Sequence, residues 1–188
     1  TWGITAGVPR GWSVALKNGF YPMRGHGWRS FAWYVWDQGP GLPGDWNGRF
    51  APAHEFIFHF NRKSLKPIKT HKSKHAGEIN SGYGLREQDG SVGAYTHAGR
   101  PVQPFKIPDS VIRITREMSR GIQTEHPAVF PVNFASEFLA AFTVSGGIAY
   151  EPFAGSGSQF IAAQQMSRIC LGIEITLRYC QVIIDRWE

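Results

Sequence analysis

The sequence predicts an α/β fold with a mostly parallel sheet, flanking helices and one antiparallel strand pair. In the last third of the chain, from Asn133 onward, segments with the apolar spacing of helices alternate with short apolar strands. This alternation is typical of parallel sheets, because a parallel strand is reached through a crossover connection. A glycine turn also joins one of these strands to the next helix, an arrangement that lets the backbone approach a bound ligand.

Composition limits the class of protein. Of the 188 residues, 42% are hydrophobic, and no apolar run approaches the ~18 residues of a membrane span. The first residues lack the charged and apolar segments of a secretory signal. We therefore expect one globular domain, 1–188, located in the cytoplasm. Cys170 and Cys180 lack metal-ligand spacing, so we expect two buried, reduced thiols and no metal site.

The glycine turn is the strongest local signal. Residues 149–158 read AYEPFAGSGS, which predicts a buried strand ending near Tyr150, then a turn, then a helix. Two glycines would keep side chains away from a ligand, and Ser156 and Ser158 are candidate helix caps. A second predicted strand, 168–173, ends in Glu174, at a suitable distance downstream to bind the two hydroxyls of a ribose.

The rest of the chain predicts further strands and helices. Aromatic and β-branched residues favour strands over 28–37 and 55–60, joined by a long Gly/Pro-rich loop as a hairpin at the sheet edge. Residues 1–27 favour irregular structure. Asn133 is a candidate cap for a helix that buries Phe134, Phe138 and Phe142 in the core and stops at two glycines, 146 and 147. Thr176 is a candidate cap for the last helix.

A basic segment separates the predicted strand pair from the helices and strands of the last third of the chain. The chain has a net charge of +6, which favours an anionic partner, and residues 61–75 contain six Lys or Arg and no acid. Gly-rich, polar sequence follows, so we predict an extended insert over 61–115. It is either a solvated linker or a segment that contacts phosphates. The candidate DNA-contacting residues are Arg62, Lys63, Lys66, Lys69, Lys72 and Lys74.

Four segments resemble the S-adenosylmethionine-dependent DNA amino-methyltransferases. Residues 150–158 are similar to the family's DPFxGSGT cofactor signature, with Glu151 in place of Asp and Ser158 in place of Thr. The segment 126–131, HPAVFP, resembles the one that precedes this signature and covers the methionine end of the cofactor. Residues 36–39 and 54–58 resemble the paired strands before the target-recognition region. The order of the segments is that of the permuted, beta-type subgroup.

The resemblance implies a Rossmann-like class I methyltransferase fold, with S-adenosylmethionine as cofactor and double-stranded DNA as partner. It implies methyl transfer to the exocyclic amine of adenine or cytosine, as in restriction-modification systems. The basic insert would be the target-recognition region. Glu151 would lie near the methionine amino group, and Glu174 would accept hydrogen bonds from the ribose. The implied cofactor-binding residues are Glu151, Pro152, Phe153, Gly155, Ser156, Gly157, Glu174, His126, Phe130 and Pro131.

One family feature is missing from the sequence. These enzymes grip the flipped base with a loop that contains a Pro-Pro pair, and the given residues contain no such pair. Either the chain is a fragment that starts after the catalytic loop, or its start is rearranged, so no catalytic residue is assigned. A homodimer or a missing N-terminal segment could complete the site. The alternatives are an inactive module that binds nucleic acid or a partner, and a methyltransferase for RNA or a small molecule.

Overall fold

The structure is a computed structural model, and it describes residues 2–4, 27–41, 43–45, 47–63, 65–82, 84, 86–93, 97–116 and 129–188. The chain divides into two compact units. The first consists of Thr1–Lys66 and Asp109–Glu188, and the second of Pro67–Pro108. Among the described residues, no helix has both the length and the apolar character needed to cross a membrane.

The first unit contains a four-stranded sheet. Its strands are β1 (Trp2–Ile4), β2 (Arg29–Asp37), β3 (His54–Asn61) and β6 (Val111–Arg113), in the spatial order β1-β3-β2-β6. β2 and β3 pair antiparallel, which confirms the predicted strand pair, whereas β2 and β6 run parallel. The prediction that this pair lies at the sheet edge is wrong, because β1 and β6 flank it. Residues 2–4, predicted to be irregular, extend the sheet by pairing with β3.

Helix α1 (Val132–Phe142) starts at a proline rather than at the predicted asparagine cap. Pro131 occupies the N-cap position in an extended conformation, and its carbonyl accepts hydrogen bonds from the amides of Phe134 (3.0 Å) and Ala135 (3.4 Å). Asn133 therefore lies inside the first turn. The helix also ends earlier than predicted, because Thr143 is extended and its amide closes the last turn on the Leu139 carbonyl at 3.0 Å.

The second part of this unit is the predicted alternation of strands and helices. Strand β7 (Ile148–Glu151) leads into helix α2 (Ser158–Gln165), and strand β8 (Ile169–Gly172) leads into helix α3 (Leu177–Trp187). β7 and β8 pair in parallel, as expected for this alternation. In the part of the chain that the structure describes, the two parallel pairings, β2–β6 and β7–β8, lie in separate sheets rather than in one mostly parallel sheet.

Helix α1 packs against both parts of the first unit. On one side Phe134 is 1% exposed and lies against Trp36, with ring centroids 4.4 Å apart. On the other side Leu139 packs against Ala162 and Ala163 of α2. The prediction that all three phenylalanines are core is therefore correct for Phe134 only, because Phe138 and Phe142 are partly buried.

The burial predicted for β7 is only partly correct. Ala149 packs against the cluster formed by α1 and α2, but Ile148 and Tyr150 are 64% and 57% exposed. Successive side chains of a strand point to opposite faces, so covering one face leaves every second residue exposed.

The described residues of the second unit contain little regular structure. Strands β4 (His71–Lys72) and β5 (Phe105–Lys106) pair antiparallel, and isolated bridges join Ile79 to Pro101 and Arg86 to Val92. Its bounds are narrower than the predicted insert, since residue 61 belongs to β3 and residues 111–113 form β6.

Candidate cofactor site

The carboxyl ends of β7 and β8 lie side by side at one edge of their sheet. The register pairs Ile148 with Ile169 and Glu151 with Gly172. Hydrogen bonding continues past the strand ends, because the Ile173 amide donates to the Glu151 carbonyl and the Ala154 amide to the Ile173 carbonyl, both at 2.9 Å. The residues that follow the two strands therefore meet at the same place, which is where open α/β sheets bind their ligands.

Two glycines shape the turn between β7 and α2. Gly155 and Gly157 have φ angles of 54° and 81°, in the region that favours glycine. The Gly157 amide donates to the Ala154 carbonyl at 2.9 Å, and Gly157 is the N-cap of α2. The predicted serine caps are wrong, because no side chain caps this helix. The Ser158 hydroxyl instead donates to the Phe130 carbonyl at 2.8 Å.

Glu174 binds the glycine turn. One carboxylate oxygen, Oε2, accepts a hydrogen bond from the Gly155 amide at 2.7 Å. The other, Oε1, accepts one from the Thr176 amide at 2.9 Å. These amides, that of Thr176 first, lower the pKa of Glu174, so its carboxylate is ionised. Glu174 and Gly155, predicted as site residues from opposite ends of the motif, are thus in direct contact.

Glu151 has a different environment from Glu174. Burial raises the pKa of its carboxyl group, and the hydrogen bond from the Phe153 amide to Oε1, at 2.9 Å, opposes this effect. Its second oxygen accepts a hydrogen bond from the Gln159 side chain. Burial, followed by the nearby charge of Glu151, raises the pKa of the Cys170 thiol to about 11. The edge of the sheet therefore holds two carboxyl groups of unlike acidity.

An exposed apolar side chain follows each of these acids in the sequence. Phe153 is 85% exposed in the turn after β7, and Ile175 is 94% exposed after β8. Pro152 is partly exposed beside Phe153. Exposed aromatic and aliphatic side chains next to hydrogen-bonding carboxylates suit a ligand that has a flat ring, hydroxyl groups and a positive charge. S-adenosylmethionine has all three, so the residues present fit it.

Residues 129–131, the described part of the segment 126–131 and called the proline segment below, are connected to the start of α2. Pro131 is fully buried, and the Phe130 carbonyl accepts the hydrogen bond from Ser158 described above. Phe130 also packs edge-on against Phe134, with ring centroids 5.7 Å apart. Of the three residues predicted from this segment, Phe130 is thus hydrogen-bonded to the first residue of α2, and Pro131 follows it in the chain. The third, His126, lies outside the described residues.

The predicted DNA-contacting residues divide between the two units. Arg62, Lys63 and Lys66 belong to the first unit, and the other three basic residues belong to the second. All six side chains are exposed. Within the second unit, Lys69 donates to the Gln103 side chain.

Sequence reasoning missed Arg186 and Gln159. The Arg186 guanidinium donates to the Ser156 carbonyl, and its Nη1 lies 3.4 Å from the Ser158 hydroxyl oxygen. No sequence motif indicates Arg186, because it lies near the end of α3 and contacts the glycine turn only through helix packing. Gln159 directly follows the signature segment 150–158, but its hydrogen bond to Glu151 depends on the direction of α2 relative to the glycine turn.

A parallel strand pair with a glycine turn and two acids at its carboxyl edge is the arrangement of a class I methyltransferase fold, and solved structures agree. The cytosine-N4-specific PvuII DNA methyltransferase matches all of this chain and 61% of its own, with a TM-score of 0.65 and 17% identity. The M1.HpyAVI–SAM complex matches 93% of this chain and 70% of its own, with a TM-score of 0.62 and 18% identity. At these identities the likeness concerns the fold.

A family model for DNA methylases, N6_N4_Mtase, matches residues 19–185. The chain therefore belongs to this DNA methylase family. Among curated relatives, the orphan methyltransferase M.BamHII of Bacillus amyloliquefaciens is 25% identical over 146 residues, which cover 73% of this chain and 55% of the relative. The chain spans about half the length of the relatives that it matches most extensively.

Proposed function

We propose that this chain provides the cofactor-binding site of a DNA methyltransferase that transfers a methyl group from S-adenosylmethionine to an exocyclic amine of adenine or cytosine. One observation carries the proposal: Glu174 is hydrogen-bonded to Gly155 of the glycine turn, beside Glu151, at the carboxyl edge of a parallel strand pair. Membership of the DNA methylase family supports the same reaction.

The site residues would hold the cofactor through contacts of different kinds. The ionised Glu174 still has free lone pairs after it accepts hydrogen bonds from two backbone amides, so it can also accept hydrogen bonds from ribose hydroxyls. Glu151 would attract the ammonium group of the methionine portion, and Phe153 offers an exposed ring for apolar contact. The bound cofactor supplies a methyl group on a sulfonium, which needs little activation. The work of the chain is therefore to orient it and to exclude water.

Duplex DNA is the proposed partner. The chain carries a net charge of +6, and the six candidate DNA-contacting residues are exposed. Basic side chains neutralise phosphates and release counterions, which favours binding at low salt. The target base must leave the helix stack before its amine can reach a methyl donor. A role in restriction-modification and a cytoplasmic location agree with this function and are proposed with it.

A second candidate function is binding of cofactor and DNA without methyl transfer. It differs from the first candidate in the loop with which the family grips the flipped base, which contains a Pro-Pro pair that the given residues do not include. A homodimer or a further segment of the protein could supply such a loop. The two candidates predict the same cofactor affinity but different transfer.

Calorimetric titration with S-adenosylhomocysteine, followed by a labelled-methyl assay on mixed-sequence duplex DNA, tests the proposal. We expect saturable heat for the wild type and weaker binding for Glu174→Gln, since a neutral amide is a poorer acceptor. Asp185→Asn, which removes a carboxylate from an exposed part of α3, is the matched control and should bind normally. No heat from a folded sample would refute the cofactor site, whereas binding without label transfer would favour the second candidate.

A further inference from the structure

We propose that Arg186 is a positioning residue of the cofactor site, and that it fixes the glycine turn and the proline segment relative to each other. The inference rests on the proposed function, because it assigns a support to the same site. Arg186 lies more than thirty positions after Glu151, in a helix that contributes no residue to the predicted cofactor contacts.

The contacts of Arg186 form a continuous polar path. Its guanidinium donates to the Ser156 carbonyl and approaches the Ser158 hydroxyl at 3.4 Å. Ser158 in turn donates to the Phe130 carbonyl at 2.8 Å. Both serines are buried, at 5% and 1% exposure. The path therefore runs from the last turn of α3, through the glycine turn, to the segment that precedes α1.

Helix α3 also contacts the turn through an apolar side chain. A Cβ atom on Gly157 would lie 3.0 Å from Ile183 Cγ1, so Ile183 packs directly against the glycine. Ile183 and Arg186 are three residues apart and lie on the same face of the helix. The absence of a side chain at Gly157 thus makes room for α3. This differs from the expectation that both glycines make room for the ligand.

These contacts connect helix docking to the geometry of the site. Arg186 donates a hydrogen bond to the Ser156 carbonyl, and Glu174 accepts one from the amide of the neighbouring residue, Gly155. The peptide groups of the turn are thus held by two ionised side chains of opposite charge, which make stronger hydrogen bonds than neutral partners. No residue of α3 is fully buried. Removing the Arg186 donor should therefore loosen the turn more than it unfolds the protein.

The test compares cofactor affinity with stability in four variants of the full chain. Arg186→Met keeps the apolar stem but removes the donor, and Arg186→Lys restores one charged donor. Ser158→Ala breaks the path at its next link. Arg178→Met removes the same charge from the first turn of α3 and is the matched control. Calorimetry with S-adenosylhomocysteine is done well below the melting temperature of each variant, which is measured separately without ligand.

We expect Arg186→Met to weaken binding about tenfold, the change that corresponds to one net hydrogen bond, with a similar effect for Ser158→Ala. Arg186→Lys should recover most of the affinity, and Arg178→Met should match the wild type. Unchanged affinity in a folded Arg186→Met would overturn the inference and leave the proposed function intact. If Arg186→Met does not fold, unchanged affinity in Ser158→Ala overturns it instead. Failure of the wild type to bind would refute the proposed function, and the inference with it.

Discussion

Replacement of Gly157 by alanine should destabilise the protein through two separable effects. The φ angle of +81° is unfavourable for alanine and costs about 1–2 kcal/mol. The new methyl group would also meet Ile183 at 3.0, 3.1 and 3.3 Å from three of its carbon atoms. Crowding a packed site in this way adds roughly 1–3 kcal/mol. We therefore expect Gly157→Ala to lower the free energy of unfolding by about 2–5 kcal/mol.

Two further variants separate these effects in urea unfolding experiments. Gly146 has a similar φ angle of +75°, but a Cβ atom added there would meet no other atom within 4 Å, so Gly146→Ala should show only the backbone cost. Adding Ile183→Ala to Gly157→Ala removes the two nearer carbon atoms of Ile183, Cγ1 and Cγ2, and leaves only its Cβ at 3.3 Å. The effect of the glycine substitution should therefore fall towards the same backbone cost. Equal destabilisation by Gly146→Ala and Gly157→Ala would refute the packing of α3 against the turn.

Three other predictions address His59, Cys170 and the basic residues. Burial lowers the pKa of His59, which is 3% exposed, so folding favours its neutral form and stability should fall as the pH drops below about 6.5. Urea midpoints at pH 7.5 and 5.5 should differ less in His59→Phe, and an unchanged difference would exclude this histidine as the cause. With its pKa raised to about 11, the partly buried Cys170 should react with iodoacetamide at pH 8 about a hundredfold more slowly than in the unfolded chain. Peptide mass spectrometry measures the two rates, and equal rates would contradict the raised pKa. Charge reversal at Lys69, Lys72 and Lys74 should weaken duplex DNA binding and flatten its dependence on salt in fluorescence anisotropy, and unchanged binding would remove these residues from the interface.

Local patterns were sufficient to predict the elements that carry the site. The apolar runs before Glu151 and Glu174 and the two glycines at 155 and 157 define a strand–turn–helix–strand unit, because strand and turn propensities act over a few residues. The contact between Glu174 and Gly155 follows from it, since parallel strands in register bring their carboxyl ends together.

Long-range packing set the features that the sequence did not predict. Ser158 has the residue type of a helix cap, yet its hydroxyl binds the Phe130 carbonyl, which is 28 positions away. In the sequence, Arg186 resembles any basic residue near the end of a helix, where a positive charge interacts favourably with the helix dipole. Its bond to the Ser156 carbonyl exists only because α3 packs on the turn. The exposure of Ile148 likewise depends on which face of the sheet other elements cover, and strand composition does not contain that information.

Phe130 and Pro131 contribute two adjacent carbonyl acceptors to the starts of two helices. The Phe130 carbonyl serves the start of α2, and the Pro131 carbonyl serves the start of α1, so two adjacent peptide oxygens tie two helices to one point of the chain. Pro131 is fully buried and has no amide hydrogen. Any other residue there would add an amide N–H, and at this burial that donor would need an acceptor of its own. Substitution of Pro131 should therefore be poorly tolerated for a reason unrelated to ligand contact. A proline found at this position in relatives would not by itself identify a ligand-binding residue.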